Sequence, residues 1–218
     1  MTSEPTRPHE TSDADLLDLA AADREAFATL FRRHHTSVYR FAKQMTGSRE
    51  AAEDITQDVF IALIRNSGRY DPGLGSLTTY LYGIARNLVL RRHKRNKSRP
   101  EVGMAHVEDD SPALVASSDP IDELARAEKR RALRRAILLL PMHYREVIVL
   151  CELNGLSYDE AARIVGRPVG TIRSRLSRAR TLLIARCQRL MNEPVKAEKR
   201  RGAGVWSPVL SARCEDDV

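Results

Sequence analysis

Four arginines lie within eight residues in the stretch GTIRSRLSRAR, which runs from 170 to 180. A guanidinium can donate two parallel hydrogen bonds to a phosphate or to the edge of guanine. Ile172, Leu176 and Ala179 recur at helical spacing, so they form one apolar stripe and leave the polar residues on the other side. The stretch therefore predicts a helix that docks by its apolar side. The residues expected on its outer face are Thr171, Arg173, Ser174, Ser177 and Arg178.

The residues that precede this helix predict a second, shorter helix and a tight turn. Ser157 and Glu160 have the spacing of a capping box, so a helix should begin at Tyr158. Gly166 suits the turn, and Pro168 suits the first turn of the next helix. Two short helices joined by a glycine-containing turn are typical of the helix-turn-helix, whose second helix enters the major groove of DNA.

Within the second helix, the residue types divide into two expected roles. Base-edge contacts are predicted for Arg173, Ser174, Ser177 and Arg178. Phosphate contacts are predicted for Arg175 and Arg180, which lie at the flanks of that surface. The alternative is a solvated basic helix in a plain bundle. The cap, the glycine, the proline and the arginines in register favour DNA.

Composition agrees with a polyanionic partner. The 218 residues carry a net charge of +7, with 42% hydrophobic and 30% charged residues, and the pI is about 9.6. The sequence has no apolar run of membrane length and no signal-peptide layout at its start, so a cytoplasmic protein without membrane insertion is expected. Cys151, Cys187 and Cys214 stand far apart, so no metal site and no cofactor are expected.

Helical periodicity runs through most of the chain and strand signals are almost absent, which predicts an all-α fold with two small helical domains. Non-periodic, Ser/Pro-containing acidic sequence separates them, which is typical of a flexible linker. In the second domain, one helix is expected to open at Pro141 and to run to Gly155. The predicted division is a disordered N-terminus (1–12), a first domain (13–96), the linker (97–118), a helix-turn-helix domain (119–192) and a disordered tail (193–218).

Gly47 is expected to end one helix and Ser48 to cap the next, and this next helix has an acidic side. Its outward positions are Glu50, Asp54, Gln57 and Asp58, opposite Ile55 and Val59. In a chain of positive net charge, a compact acidic face is expected to meet a basic protein surface rather than DNA. An ordinary solvated face is the alternative.

A further helix is predicted after Ser76, and it combines tyrosines with a basic end. Tyr80 and Tyr82 precede a cluster of positive charges between Arg91 and Arg99. Aromatic rings beside a basic track can stack on single-stranded bases. The alternative is that these tyrosines pack against neighbouring helices.

These motifs together resemble the extracytoplasmic-function (ECF) sigma factors of the σ70 family. AEDITQDVFIALI is similar to their region 2.2, and SLTTYLYGIARN is similar to the pattern F-x-x-W-L-x-x-I-A-x-N of regions 2.3 and 2.4. The block LPMHYREVIVLCELNGLSYDEAARIVGRPVGTIRSRLSRAR is similar to region 4. The resemblance covers about residues 13 to 190.

The resemblance implies a subunit that binds core RNA polymerase and directs transcription initiation at −10 and −35 promoter elements. The first domain would bind the clamp helices of the β′ subunit through Asp54, Gln57 and Asp58. The loop from Tyr70 to Ser76, with Asn87, would capture a flipped-out base of the −10 element. The full −10 surface implied is Tyr70, Ser76, Thr79, Tyr80, Arg86 and Asn87.

Further partners are also implied by the resemblance. The second domain would read the −35 element through its arginine-rich helix and dock on the β flap. The linker acids Glu108, Asp109 and Asp110 would run toward the RNA exit path, and an anti-sigma factor would mask both domains. Two rivals remain: a free-standing helix-turn-helix regulator, and a nucleic-acid enzyme, for which no carboxylate or histidine cluster is evident. The chain is therefore not expected to be an enzyme.

Overall fold

The computed structural model describes residues 11–20, 22–97 and 120–192, and these residues are almost entirely helical, with no strand among them. The all-α prediction is confirmed. The helices are α1 (Asp13–Leu19), α2 (Arg24–Thr46), α3 (Arg49–Arg65), α4 (Leu77–Lys97), α5 (Pro120–Leu138), α6 (Met142–Val147), α7 (Tyr158–Val165) and α8 (Val169–Asn192). Short 3₁₀ turns at Ser67–Arg69 and Pro72–Leu74 lie between α3 and α4.

Helices α1 to α4 form an N-terminal helical unit around one apolar core. The turn from α2 to α3 follows the predicted signals, because Gly47 ends α2 in the left-handed region and Ser48 caps α3. The fully buried side chains of this core include Leu30, Phe41, Met45, Leu63, Leu77 and Leu81.

Polar contacts hold the start of α1 against α2. The Asp13 side chain accepts a hydrogen bond from Arg33 Nη1 at 2.9 Å and lies 2.8 Å from His34 Nε2. The backbone carbonyl of Thr11 accepts a second bond from the same guanidinium at 2.9 Å. These contacts fix the start of the described chain against the helix that carries the core.

Helices α5 to α8 form the C-terminal unit. One continuous helix was predicted from Pro141 toward Gly155, but α6 ends at Val147 and continues as a wider π-helical turn over Ile148–Leu153. In this turn the backbone N–H of Asn154 donates to the carbonyl of Val149, five residues earlier. Ile148, Val149 and Leu150 are all buried, so the wider turn directs three consecutive apolar residues inward.

The two units pack against each other. Arg145 of α6 donates from Nη1 to the carbonyl of Met45 in α2 at 2.9 Å. Gly47 leaves room for Leu138 of α5, because a Cβ at that glycine would stand 2.5 Å from a Leu138 methyl carbon. The predicted linker was 97–118, but Lys97 is still helical and ends α4. The rest of that linker, with Glu108, Asp109 and Asp110, and the predicted tail from 193 onward lie outside the described residues.

Candidate nucleic-acid interface

The helix-turn-helix is built as its sequence signals predicted. Ser157 Oγ accepts a hydrogen bond from the backbone N–H of Glu160 at 3.2 Å, and the Glu160 side chain accepts one from the backbone N–H of Ser157 at 2.9 Å. This is a capping box, and α7 begins at Tyr158. Gly166 ends α7 in the left-handed region, and the carbonyl of Pro168 accepts from the N–H of Thr171 at the start of α8.

The capping box makes the helix-turn-helix sensitive to acid. Hydrogen bonds from the Ser157 side chain and then from its backbone lower the pKa of Glu160 below its ordinary value of 4.5. The unfolded chain therefore takes up this proton at a higher pH than the folded chain. The stabilisation is fully present above pH 4.5 and is lost as the pH falls through the folded-state value.

Replacing Ser157 with alanine is expected to lower the free energy of unfolding by about 1 kcal/mol, because one N-terminal donor of α7 loses its acceptor. Chemical denaturation at neutral pH measures the change. Ser157→Thr is the matched control, since threonine keeps the capping oxygen, and it should retain most of the stability. An equal loss in both variants would contradict the capping role.

The outer face of α8 presents the predicted donors. Ile172, Leu176 and Ala179 are at most 1% exposed, so the apolar stripe is buried as predicted. The exposed residues on the opposite side include Arg173, Ser174, Ser177 and Arg178, while Thr171 is half-buried at the start of the helix. The Arg173 guanidinium lies 5.8 Å from the centroid of the Tyr158 ring, which places an aromatic residue of α7 beside it.

Two further arginines of α8 are bound to carboxylates. Arg175 Nη1 donates to Glu146 Oε1 at 3.1 Å, and Arg180 Nε donates to Glu152 Oε1 at 3.2 Å. The first pair is largely buried, with Glu146 only 3% exposed, whereas the second lies at the surface. Sequence reasoning missed both acids. The spacing of the sequence could have indicated that Glu146 is buried, because it lies on the same side of a helix as Val149 and Leu150.

The loop before α4 brings several predicted residues together. Ser76 Oγ accepts from the N–H of Thr79 at 3.2 Å, so Ser76 caps α4 as predicted. Tyr70 donates from its hydroxyl to the carbonyl of Gly75 at 3.2 Å, and its ring lies 5.6 Å from that of Tyr80. Burial first, and then the charges of nearby aspartates, raise the pKa of Tyr70, so it remains a neutral donor near neutral pH.

Farther along α4, the predicted residues have different surroundings. Tyr82 is buried and stacks on Phe41 with ring centroids 5.0 Å apart, which agrees with the packing alternative for this tyrosine. Arg86 Nε donates to Glu146 Oε2 at 2.8 Å. Asn87 is exposed, about 16 Å along the helix from Ser76 at 1.5 Å per residue.

The acidic side of α3 is exposed. Asp54, Gln57 and Asp58 face outward, opposite the buried Ile55 and Val59. They line one side of a groove whose other side is the basic end of α4, formed by Arg91, Arg92, Lys94 and Arg95. Arg92 Nη1 reaches across the groove to Asp54 Oδ2 at 3.1 Å. The groove thus has one negative and one positive wall.

Among the described residues, no three His, Cys, Asp or Glu side chains come together as a metal site would require. In the same part of the chain, no helix has the length and apolarity needed to cross a bilayer.

Comparison with known proteins identifies the family of this chain. The family model of Sigma-70 region 2 matches residues 30–99, and that of Sigma-70 region 4 matches residues 130–183. The ECF RNA polymerase sigma factor SigM of Mycobacterium tuberculosis is 37% identical over 178 residues, covering 80% of this chain and 84% of SigM. This chain belongs to the ECF sigma factors.

Other ECF sigma factors are similar to this chain in sequence or in structure over much of the same span. SigW of Bacillus subtilis is 31% identical, covering 74% of this chain and 88% of SigW. Among solved structures, the sigma factor RpoE in complex with the anti-sigma factor NepR, from Bartonella quintana, matches with a TM-score of 0.59 and 27% identity, over 77% of this chain and 97% of RpoE. The structure of CnrH in complex with the cytosolic domain of CnrY matches with a TM-score of 0.56 and 26% identity, over 79% of this chain and 95% of the matched chain. Helices α2 to α4 thus lie in region 2, and the helix-turn-helix lies in region 4.

Proposed function

We propose that this ECF sigma factor is a promoter-specificity subunit that joins core RNA polymerase in the cytoplasm, directs transcription initiation and catalyses no reaction itself. The observation that carries the proposal is the presence, in one chain, of an acidic outward face in region 2 and an arginine-covered recognition helix in region 4. A free-standing regulator needs the second surface but has no use for the first. The domain limits adopted for the two regions are 13–96 and 119–192.

Core polymerase is proposed to bind the acidic side of α3. Asp54, Gln57 and Asp58 are exposed on one helix face, where they can meet a basic surface of the β′ clamp helices. Region 4 is proposed to dock on the β flap. Binding of purified core polymerase, followed by size-exclusion chromatography, tests this point: a sigma factor co-elutes with core, whereas a free-standing regulator elutes alone.

The −10 element is proposed to bind the start and outer side of α4. Tyr70 and Tyr80 supply aromatic rings, and Ser76, Thr79, Arg86 and Asn87 supply donors. Removing a base from the stack costs a few kcal/mol, and a preformed pocket offsets part of that cost. The paired rings of Tyr70 and Tyr80 support such a pocket.

The −35 element is proposed to bind α8. Replacing Arg173 with alanine is expected to cost about 1–3 kcal/mol in binding to the specific duplex and much less on a scrambled duplex, because a bidentate base contact is lost. Fluorescence anisotropy with both duplexes measures the difference. Arg189→Ala removes the same charge near the other end of α8 and is the matched control. Equal losses on both duplexes for Arg173→Ala would mean that Arg173 contacts only phosphate.

An anti-sigma factor is proposed as a third partner. The two solved structures described above contain a sigma factor bound by NepR, an anti-sigma factor, and CnrH bound by the cytosolic domain of CnrY. Both match this chain over more than three quarters of its length. The exposed acidic face of α3 is a surface that such a partner can cover in competition with core polymerase.

A further inference from the structure

A buried histidine of α2 joins the start of α1 to the start of α4. His34 is 8% exposed, and its Nε2 lies 2.8 Å from Asp13 Oδ2. On the other side of the ring, Nδ1 lies 3.4 Å from Thr78 Oγ1. Because a carboxylate can only accept, Nε2 carries the proton that Asp13 receives, and in the neutral ring Nδ1 accepts from the Thr78 hydroxyl. One imidazole therefore links three helices.

The Asp13 carboxylate is held through both of its oxygens. Oδ1 accepts from Arg33 Nη1 at 2.9 Å, while Oδ2 faces His34. Burial first, and then the charge of Asp13, raise the pKa of Tyr70, so this carboxylate also lies near the loop before α4. The His34 ring has a fixed partner at Nε2 and cannot turn over without losing that bond. The direction of Nδ1 toward Thr78 is therefore set from α1.

Thr78 lies in the first turn of α4, among residues that we assign to the −10 surface. Ser76 Oγ accepts from the backbone N–H of Thr79 at 3.2 Å and lies 3.0 Å from Thr79 Oγ1. Tyr80, the next residue, places its ring 5.6 Å from that of Tyr70. Thr78 itself is half-buried and is not assigned to DNA. Its bond to His34 therefore fixes a turn whose neighbouring side chains would meet the flipped-out base.

A directional bond in this turn matters because the −10 surface has to be ready before the base arrives. Leu77 is 1% exposed and anchors the same turn by apolar packing, which is non-directional. The bond between His34 and Thr78 adds the missing direction. A side chain that must be ordered during binding costs affinity, whereas one that is already held does not.

We propose that His34 is a positioning residue for recognition of the −10 element, because its bond to Thr78 holds the first turn of α4 in the arrangement that accepts the flipped-out base. This inference rests on the proposed function. His34 acts through Thr78 and does not itself contact DNA. Loss of the bond loosens the turn, so binding of the cognate base loses more affinity than binding of a substituted base.

Two variants each remove this bond. In His34→Gln, the side-chain amide can still donate to Asp13 but offers no acceptor at the position of Nδ1. In Thr78→Val, the shape stays and the hydroxyl is lost, so this variant tests the bond even if replacement of the buried histidine impairs folding. Thr78→Ser keeps the hydroxyl and is the conservative variant. Thr29→Val is the matched control, since the Thr29 hydroxyl accepts from Arg32 of the same helix at 3.0 Å.

The measurement uses holoenzyme assembled from core polymerase and each variant. The probes are two promoter fragments whose −10 region is unpaired beforehand. One carries the −10 sequence found by transcript mapping, and in the other the most invariant base of that sequence is replaced. The ratio of the two affinities is the −10 discrimination. A variant that is merely less stable yields less active holoenzyme and lowers binding to both probes alike, so it leaves this ratio unchanged.

His34→Gln and Thr78→Val should each lower the −10 discrimination about fivefold, the effect of losing about one hydrogen bond. The double variant should lose no more than either single variant, because both changes remove the same bond. Thr78→Ser and Thr29→Val should keep the wild-type ratio. An unchanged ratio in both single variants would overturn the proposal. Additive losses would overturn it as well, since Thr78 would then act independently of His34.

Transcript mapping with the wild-type holoenzyme separates this inference from the proposed function. If the wild type yields no discrete transcripts, the proposed function fails and this inference fails with it. If transcripts form and the wild-type holoenzyme discriminates between the two probes, but both single variants discriminate equally well, only the positioning role of His34 fails.

Discussion

Replacing Glu146 with alanine should lower the free energy of unfolding of region 4 by about 3–5 kcal/mol, the cost typical of removing one partner of a buried ion pair. Glu146 accepts from Arg86 at 2.8 Å and from Arg175 at 3.1 Å, and it is 3% exposed. Without this carboxylate, two guanidinium groups in a poorly hydrated interface lose their partner. Urea denaturation followed by circular dichroism measures the loss.

Glu152→Ala is the matched control for this prediction. Glu152 also binds an arginine of α8, but its side chain is 39% exposed and that of Arg180 is 53% exposed. An exposed pair of this kind contributes little to stability, because water and salt screen it. If both variants lose the same small amount of stability, burial does not set the importance of Glu146.

Reversing the charge of Asp58 to arginine should weaken binding to core polymerase about a hundredfold or more, equivalent to about 2.7 kcal/mol. Asp58 is exposed on the acidic face of α3. A basic clamp surface that attracts this carboxylate repels a guanidinium at the same position. Competition with a labelled wild-type chain for core polymerase measures the affinity, and circular dichroism checks that the variant is folded.

Glu25→Arg provides the same change of charge at a distance from that face. Glu25 lies in the first turn of α2, where its exposed side chain contacts Arg32. The affinity of Glu25→Arg for core polymerase should therefore stay within about threefold of the wild-type value, since long-range electrostatics are screened at physiological salt. Equal weakening by Asp58→Arg and Glu25→Arg would mean that only net charge matters and that α3 is not the docking helix.

Local signals in the sequence predicted the parts of this fold that depend on neighbouring residues. Ser48, Ser76 and Ser157 cap helices, and Gly47 and Gly166 end them, because a cap needs only one side chain and the next few backbone groups. The apolar stripe of α8 could be predicted from the spacing of its residues alone. These features do not depend on which other helix lies nearby.

Contacts between distant segments could not be predicted in the same way. Glu146 is 60 residues from Arg86 in sequence, and Asn154 is 110 residues from Gln44. Nothing in the local pattern of either segment specifies such a partner, because periodicity indicates which side of a helix is buried but not against what. The π-helical turn was missed for a related reason, since it depends on how Ile148, Val149 and Leu150 pack in three dimensions.

Tyr82 illustrates the difference within one residue. Its place on the same helix as the basic cluster of α4 made it a possible stacking surface for bases. The structure instead packs its ring on Phe41 and directs its hydroxyl to Asn154 of region 4. These partners lie in α2 and just before α7, and no pattern within α4 specifies either of them.

Transcription in a purified system is the measurement that tests the central claim most directly. Core RNA polymerase is incubated with a pool of upstream genomic fragments, with and without this protein, and the 5′ ends of the transcripts are mapped. The account predicts discrete transcripts only when the protein is present, with shared −10 and −35 sequences upstream of their starts. If folded protein yields no such transcripts but still binds DNA fragments, the sigma-factor function is contradicted for this chain and the free-standing regulator becomes the better interpretation.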